Sequence, residues 1–222
     1  FFSETGLQIL LSNIPDLNFP LDTRSDFYML VEVGSCSMHV PLEKILFEVM
    51  EWGMSQGIVE DGALAMSNAQ RQNFWKFREE QPEGQRRLGP QLKNDLSVPP
   101  GKLSVFLELA AIECNKILRG VRINAFGHLG DGNVHYNLSP PIDQRGFLDL
   151  EEELSDMLAA LVSDMGGSFA AEHGIGRTKI NLANNLRDQL ERNLMMSIKD
   201  ALDETNQLNP GVVVSQKLHC TE

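Results

Sequence analysis

The feature that most restricts the fold of this chain is a strand–turn–strand pattern at residues 126–137, FGHLGDGNVHYN. Asp131-Gly132 separates two strand-forming runs, and this dipeptide favours a two-residue hairpin turn because both central positions need positive φ. Pairing outward from that turn places His128 opposite His135. Directly opposed residues share a sheet face with Cβ atoms about 4.5–5.5 Å apart, so the pattern predicts two imidazoles within reach of one metal ion. A longer turn would loosen this register and still leave the two histidines close.

Apolar periodicity divides the rest of the chain into alternating strands and helices. Strands are predicted at 27–33, 58–59, 92–98, 121–127, 133–139 and 168–171. Helices are predicted at about 41–56, 67–79, 101–118 and 144–165, followed by a final helical region at about 178–204, and most of 81–101 is assigned to loop. This order predicts an α+β fold, in which helices cover a largely antiparallel sheet as in a ferredoxin-like cap domain, followed by a C-terminal helical segment.

The charge of the chain restricts its partners. It has 19 basic and 31 acidic side chains, a net charge of −12, which repels phosphate backbones and argues against a nucleic-acid partner. No apolar run approaches the roughly 18 residues of a membrane span, and the N-terminus has no signal-peptide pattern. Cys36, Cys114 and Cys220 follow no metal or redox spacing. We therefore expect a reducing compartment, the cytoplasm or, in a eukaryote, the mitochondrion.

A second cluster of chemical groups lies in AEHGIGR, where Glu172 and His173 follow a short apolar run and enter a glycine-rich corner. Together with His128 and His135, Glu172 completes a His₂-carboxylate set of the kind that binds zinc and other divalent ions with open positions. His173 would then act as a base, since imidazole titrates near neutral pH. The residues alone leave open a catalytic metal site, a stand-alone metal-dependent hydrolase or lyase, and a pair of ordinary surface histidines.

Five short motifs, in order, resemble the C-terminal region of FAD-dependent D-2-hydroxy-acid dehydrogenases of the vanillyl-alcohol oxidase superfamily. That family includes D-2-hydroxyglutarate dehydrogenase, D-lactate dehydrogenase and the flavin subunit of glycolate oxidase. The similarity runs along nearly the whole chain. The motifs are FWKFRE (74–79), LKNDLSVP (92–99), HLGDGNVH (128–135), AEHGIG (171–176) and LNPG (208–211).

The resemblance implies a role for each candidate site residue. His128, His135 and Glu172 would bind the divalent metal, most commonly zinc, and His173 would be the catalytic base. The implied substrate contacts are Arg78, Lys93 and Asn137, and the implied cofactor contact is Asn209. From the residues alone, Arg78 fits equally well a cation near a helix C-terminus, and Lys93 fits a solvated loop.

The implied reaction oxidises a small D-2-hydroxy acid to the 2-oxo acid. Metal-assisted deprotonation of the hydroxyl would accompany hydride transfer to FAD, and the electrons would pass to a downstream acceptor. The chain has no glycine-rich phosphate loop at a strand–helix junction, so we expect FAD to be bound mainly by a preceding domain or subunit absent from this chain. This half alone would then be inactive. A non-catalytic cap module is a further alternative.

The resemblance also implies a division of the chain. Residues 1–205 would form the substrate-binding cap domain with the metal site, and residues 206–222 would be a tail returning to the flavin domain; a homodimer is compatible with this arrangement. Two positions depart from the family. Pro82 stands where the D-2-hydroxyglutarate enzymes resemble one another in having a hydroxyl residue, and Val212 where lysine is common.

Overall fold

The structure is a computed structural model that describes residues 1–15 and 17–214. The chain divides into two compact units. Unit 1 comprises Phe1–Leu92, Val121–Gly127 and Asn137–Gly146, and unit 2 comprises Lys93–Gly120, His128–Tyr136 and the chain from Phe147 onward. The predicted boundary at 205/206 stays a prediction, and residues 215–222, with His219 and Cys220, lie outside the described residues.

The described elements are eight α-helices, one 3₁₀ turn and five strands. The strands are β1 (Phe2–Ser3), β2 (Phe27–Tyr28), β3 (Asp95–Ser97), β4 (Arg122–His128) and β5 (Asn133–Ser139). The helices are α1 (Glu4–Asn13), α2 (Leu42–Ser55), α3 (Asn68–Glu79), α4 (Gln81–Leu88), α5 (Leu103–Ile117), α6 (Glu151–Asp164), α7 (Ile180–Leu186) and α8 (Gln189–Leu202), and the 3₁₀ turn is Pro100–Lys102. In the described part of the chain, none of the helices is long and apolar enough to cross a bilayer.

The strands form one sheet with the order β2-β1-β4-β5-β3. β1 pairs antiparallel with β2 and with β4, and β3 pairs antiparallel with β5. Strands β4 and β5 contribute residues to each unit, while β1 and β2 belong to unit 1 and β3 to unit 2. The predicted α+β class with an antiparallel sheet is confirmed.

Unit 1 has a core built largely from aromatic side chains. Tyr28 packs against Phe2, with ring centroids 5.3 Å apart, and against Phe19 at 5.1 Å. Ser3 begins α1 by accepting a hydrogen bond from the Gly6 backbone N–H, as expected of an N-cap serine. The buried cluster consists of Phe2, Leu7, Leu10, Tyr28, Phe77 and Phe126.

Unit 2 has a separate core in which α5 packs against α6. Phe106 of α5 is fully buried and lies 5.6 Å from the Tyr136 ring, edge to face. Cys114 is buried beside them, and this burial raises the pKa of its thiol to about 12, which makes Cys114 a packing residue as its apolar helical setting predicts. The core is completed by Leu96, Val98, Leu103, Ala110, Val134, Leu154, Leu158 and Val162.

Helices α2, α3 and α5 and strands β3, β4 and β5 were predicted close to their observed bounds. The loop assignment for 81–101 is wrong in its first part, because α4 occupies Gln81–Leu88 with proline in its first turn, where the missing N–H costs nothing. The helix predicted from 144 begins only at Glu151, because Leu148 and Asp149 have positive φ. The helical region predicted at 178–204 contains two helices, α7 and α8, and the Asp188 side chain accepts from Leu190 N at the start of α8.

Three predicted strands are shorter or absent. The strand predicted at 27–33 ends at Tyr28, and residues 58–59 are not in a strand. Residues 168–171 contribute one isolated bridge, between Ser168 and Ser97. Short apolar runs favour the strand conformation, but a sheet also needs a hydrogen-bond partner for each backbone N–H and C=O group. In the described structure, none of these segments is paired with another strand along its full predicted length.

The turn between β4 and β5 spans four residues, 129–132, so the prediction of a two-residue turn is wrong. Gly132 has φ +69, and a Cβ placed there would lie 1.8 Å from the Val98 carbonyl oxygen. Asp131 closes the turn through its side chain, since its Oδ1 accepts from Asn133 N at 3.0 Å. Glycine is therefore required at 132 by both its dihedral angle and the close approach of residue 98.

We expect Gly132→Ala to destabilise the protein by at least about 1–3 kcal/mol, the usual cost of a strained backbone conformation. Gly130→Ala is the matched control in the same turn, because φ at Gly130 is not positive and a Cβ there would meet nothing within 4 Å. Urea denaturation of both variants measures the difference. Equal midpoints for the two variants would contradict the strain at Gly132.

Candidate metal and acid–base site

Strand β3 holds Asp95 between two neighbouring backbone segments of unit 2. Asp95 is directly opposite His135 in the antiparallel β3–β5 pair. On the other edge of β3, Ser97 N donates to Ser168 O and Ser168 N donates to Ser97 O, both at 2.8 Å. A Cβ at Gly167 would lie 2.0 Å from Ser97 O, so glycine allows this approach. The bridge brings residues 168–173, which end in Glu172 and His173, alongside β3.

Asp95 connects these segments through its side chain. It is 2% exposed, and its Oδ2 accepts from the backbone N–H groups of Glu172 at 2.6 Å and His173 at 2.8 Å. Its Oδ1 accepts from Asn133 Nδ2 at 3.3 Å. The same carboxylate lies 3.7 Å from His135 Nδ1 and 3.8 Å from His173 Nδ1. One buried carboxylate therefore contacts every segment that supplies a histidine or glutamate here, apart from the end of β4.

The hydrogen bonds of Asp95 determine its ionisation. Burial by itself would raise the pKa of this carboxyl group, but hydrogen bonds from the backbone of His173 and Glu172 outweigh burial and hold the pKa below its usual value. Hydrogen bonds to the charged form of an acid favour that form. Asp95 is therefore a carboxylate at neutral pH.

The three side chains implied as metal ligands meet at Glu172. Its Oε1 lies 4.0 Å from His128 Nδ1 and its Oε2 lies 4.0 Å from His135 Nε2. Ligand atoms on one tetrahedral zinc ion are about 3.4 Å apart, so each of these two histidine–glutamate distances is somewhat longer than in a metal-bound site. Asp131 Oδ2 also lies 4.0 Å from His128 Nδ1. The donor set therefore fits a divalent metal by its chemistry.

A second set of possible donor atoms overlaps the first. Asp95, His135 and His173 each offer an atom within 4.8 Å of the others. The His135 and His173 rings lie 6.0 Å apart at 29°. His135 is common to both sets.

His173 is exposed, in contrast to Asp95. Its side chain is 61% exposed while its Nδ1 faces the Asp95 carboxylate. Gly174 and Gly176 have φ of +70 and +55, which lets the chain turn away directly after His173, and the buried Ile175 fixes this turn in the core. A histidine in this position has one ring nitrogen directed toward a carboxylate and the rest of its ring accessible.

Lys179 supports the segment that carries Glu172 and His173. Its Nζ donates to the Phe169 carbonyl at 2.8 Å. Burial lowers the pKa of Lys179, while the Asp95 charge acts in the opposite direction. This backbone contact holds the lysine against the segment that leads to Glu172 and His173.

Sequence reasoning missed Asp95 as a functional residue, although its motif LKNDLSVP was noted. The available signal was a carboxylate within a short strand-forming run, since an aspartate at a buried strand position needs hydrogen-bond partners. Nothing in the local sequence identified those partners, because residues 172 and 173 are far away in the chain. Only the pairing of β3 with residue 168 brings them close.

The remaining predicted site residues lie in both units. Arg78 is in the last turn of α3 in unit 1, with its guanidinium 5.0 Å from the centre of the Phe126 ring. Asn137 is a buried residue of β5 in unit 1, and Lys93 is an exposed residue of unit 2 just before β3. Asn209 is exposed with φ +49, and its carbonyl accepts from Val212 N. Of the predicted residues, the structure brings together His128, His135, Glu172 and His173.

Unit 2 thus carries a histidine–carboxylate cluster with the composition of a metal-dependent acid–base centre. The family model for the C-terminal domain of FAD linked oxidases matches residues 3–213. The chain belongs to this family.

Similarity to individual proteins agrees with that assignment. The chain is 32% identical over 215 residues to a D-2-hydroxyglutarate dehydrogenase of Stutzerimonas stutzeri, covering 96% of this chain and 46% of the relative. It is 28% identical over 231 residues to the mitochondrial D-2-hydroxyglutarate dehydrogenase of Arabidopsis thaliana, covering 98% and 38%. A D-2-hydroxyglutarate–pyruvate transhydrogenase of Saccharomyces cerevisiae is 26% identical over 218 residues, covering 95% and 43%. The chain spans less than half the length of these curated relatives.

The lowered pKa of Asp95 predicts a pH-dependent contribution to stability. A carboxyl group whose pKa is lower in the folded state stabilises that state above the unfolded pKa, near 3.8, and the contribution is lost as pH falls through the folded pKa. We expect Asp95→Asn to be less stable than wild type by about 1.5–3 kcal/mol at neutral pH, the value of hydrogen bonds to a charged group. The difference should shrink as the pH is lowered past 3.8.

Denaturant unfolding across the acidic range measures this difference. Asp156→Asn is the matched control, since it removes the same charge from an exposed position on α6. A stability difference for Asp95→Asn that is constant with pH would show that its carboxylate form is not what stabilises the fold.

Proposed function

We propose that this chain is the substrate- and metal-binding half of a flavin-dependent dehydrogenase that oxidises a D-2-hydroxy acid to the 2-oxo acid. The observation that carries the proposal is the meeting of His128 and His135 at Glu172, with His173 next in the chain, in a member of a FAD-linked oxidase family. Membership in this family favours oxidation over the stand-alone hydrolase or lyase, and over the non-catalytic cap module.

His128, His135 and Glu172 would hold a divalent metal ion, with zinc as the first candidate. Two imidazoles and a carboxylate are a common catalytic zinc set that keeps a coordination position open. A metal bound there would act as a Lewis acid on the 2-hydroxyl oxygen and lower its pKa, as it does for water. The half-exposed side chains of His128 and Glu172 leave this position accessible to a small molecule.

His173 would take the proton from the 2-hydroxyl. Its Nδ1 faces the buried Asp95 carboxylate at 3.8 Å, so Nε2 is the atom directed to receive the proton. The negative Asp95 would stabilise the imidazolium that forms, which is the role of a carboxylate behind a catalytic histidine. The backbone N–H of His173 donates to the same carboxylate, and this hydrogen bond restricts where the His173 ring can move.

Substrate binding would use the cations and the amide that the resemblance implies. A guanidinium such as that of Arg78 can hold a carboxylate through two parallel hydrogen bonds, and Lys93 would add a second positive charge. Asn137 would contact the substrate through its side-chain amide. Because the net charge is −12, these local cations are what would attract an anionic substrate.

FAD, when bound, would accept the hydride from the 2-carbon. The flavin would be held mainly by a part of the protein outside this chain, and Asn209 is proposed as a contact to it. The relatives named D-2-hydroxyglutarate dehydrogenase are more than twice as long as this chain, which leaves room for such a domain in them. The electron acceptor and a homodimeric state stay predictions from the sequence.

The proposal extends to the class of D-2-hydroxy acids. Pro82 lies in the first turn of α4, where proline is favoured, and it has no side-chain donor for a second carboxylate. Binding of a dicarboxylic substrate such as D-2-hydroxyglutarate would therefore need a donor other than residue 82. A monocarboxylic substrate such as D-lactate makes no such demand.

We expect the purified chain to bind about one divalent ion, and His128→Ala to lower the affinity by about 10-fold or more, since even the loss of an outer-shell partner costs 10–100-fold. His39→Ala is the control, because His39 is an exposed histidine outside the cluster. Calorimetric titration with Zn²⁺, with elemental analysis, gives affinity and stoichiometry. Equal affinity in wild type and His128→Ala would rule out the proposed ligand set.

We expect His173→Asn to lower kcat about 10²–10⁴-fold in the flavin-loaded full-length protein, the usual contribution of a general base, while metal content stays at the wild-type level. His39→Asn makes the same change at an exposed position away from the cluster and should leave kcat unchanged. Steady-state kinetics with D-lactate and D-2-hydroxyglutarate measure the effect. A His173→Asn enzyme with wild-type kcat would exclude His173 as the base.

A further inference from the structure

The side chain that the proposed reaction places behind His173 is also the most enclosed one in the cluster. Asp95 is 2% exposed, whereas the side chains of His128, Glu172 and His173 are 57%, 49% and 61% exposed. Its oxygens accept three N–H groups. A carboxylate buried this deeply requires hydrogen-bond donors. The donors to Asp95 belong to the segments that carry the proposed metal ligands.

We propose that Asp95 is a positioning residue: it sets the tautomer of His135 and fixes the backbone of Glu172, so that both present their ligand atoms to one metal ion. This inference rests on the metal site proposed above. It assigns to Asp95 a role in metal affinity without direct contact to the metal.

The two ring nitrogens of His135 face different carboxylates. Nδ1 lies 3.7 Å from Asp95 Oδ1, and Nε2 lies 4.0 Å from Glu172 Oε2. A neutral imidazole has one N–H and one lone pair, and a metal ligand must offer the lone pair. Glu172 is the proposed co-ligand, so the lone pair belongs on Nε2 and the proton on Nδ1. The negative Asp95 carboxylate, 3.7 Å from Nδ1, favours the tautomer with the proton on that nitrogen.

Asp95 also restrains the backbone of Glu172. Its Oδ2 accepts from two consecutive N–H groups, those of Glu172 and His173, and Ala171 N donates to its backbone carbonyl at 3.3 Å. Three successive residues are thereby attached to residue 95. The direction in which the Glu172 side chain leaves the backbone is set before any metal binds.

The contacts of Asp95 distinguish positioning from direct ligation. Both oxygens already accept hydrogen bonds, from Asn133 on Oδ1 and from two backbone groups on Oδ2. An ion bound by Asp95 would have to displace donors in a buried place, where a lost hydrogen bond costs its full desolvation penalty. The accessible oxygens of Glu172 carry no such requirement. A carboxylate behind a metal-binding histidine commonly orients the ring in this way.

The wild-type chain provides the first test without any substitution. Long-range ¹H–¹⁵N NMR spectra of the metal-free chain, at a pH well above the usual histidine value of about 6.5, report which ring nitrogen of His135 carries the proton. The expected result is Nδ1–H. A wild-type His135 in the Nε2–H tautomer would overturn the inference.

Asp95→Asn provides the second test. The asparagine oxygen can still accept the N–H groups of Glu172 and His173, but its NH₂ group would replace the oxygen that faces His135 Nδ1. Nδ1 would then become the acceptor and Nε2 would carry the proton. We expect the tautomer to switch and the Zn²⁺ affinity to fall about 10–100-fold. An Asp95→Asn chain that keeps the Nδ1–H tautomer and wild-type affinity would refute the role.

A control variant and the pattern of Zn²⁺ affinities distinguish a failure of the proposed metal site from a failure of the proposed role of Asp95. Asp156→Asn removes the same charge at an exposed site and should change neither the tautomer nor the affinity. If wild type and His128→Ala bind Zn²⁺ equally, the proposed ligand set fails, and the tautomer in the metal-free chain still decides the role of Asp95. If His128→Ala weakens binding while Asp95→Asn does not, the metal site stands and the positioning role of Asp95 is rejected.

Discussion

The arrangement of the cluster depends on one interaction, in which a buried carboxylate accepts hydrogen bonds from two consecutive backbone N–H groups. Asp95 accepts from Glu172 and His173 across a separation of 77 and 78 residues in the chain. An unpaired buried carboxylate would cost several kcal/mol, whereas each hydrogen bond to a charged acceptor contributes about 1.5–3 kcal/mol. The fold therefore favours bringing residues 172 and 173 to β3, and the histidine–carboxylate cluster forms as a consequence.

The interaction depends in turn on the edges of one short strand. β3 has three residues, with β5 on one side and Ser168 on the other. Close approach is possible because Gly132 and Gly167 face the carbonyls of Val98 and Ser97 at distances that no side chain would allow. Two glycines and a three-residue strand thus set the spacing between His135 and Glu172.

Local pattern was sufficient to predict much of the fold and part of the site. The apolar stripes of α5 and the strand-forming runs of β4 and β5 are local signals, and they were read correctly. The closeness of His128, His135, Glu172 and His173 was anticipated from the hairpin and from the family resemblance. The length of the turn was not predicted. Its four residues are held by the Asp131 side chain and by Val98, and Val98 lies outside the hairpin. Asp95 was missed for the same reason: its partners are distant in sequence.

The distribution of exposure within the cluster follows from what each group is proposed to do. Three of the four groups that would meet a metal or a substrate, His128, Glu172 and His173, are about half exposed or more, while the fourth, His135, is 17% exposed. Exposed side chains have many rotamers, and precise geometry then has to come from the backbone that carries them. The side chains of Asp95, Asn133 and Ile175 are buried and hold that backbone in place. Functional atoms that are exposed can be reached by a substrate, and buried contacts keep the backbone that carries them in place. A fully buried set of the same residues would not be accessible, and a fully exposed set would not be held in a fixed geometry.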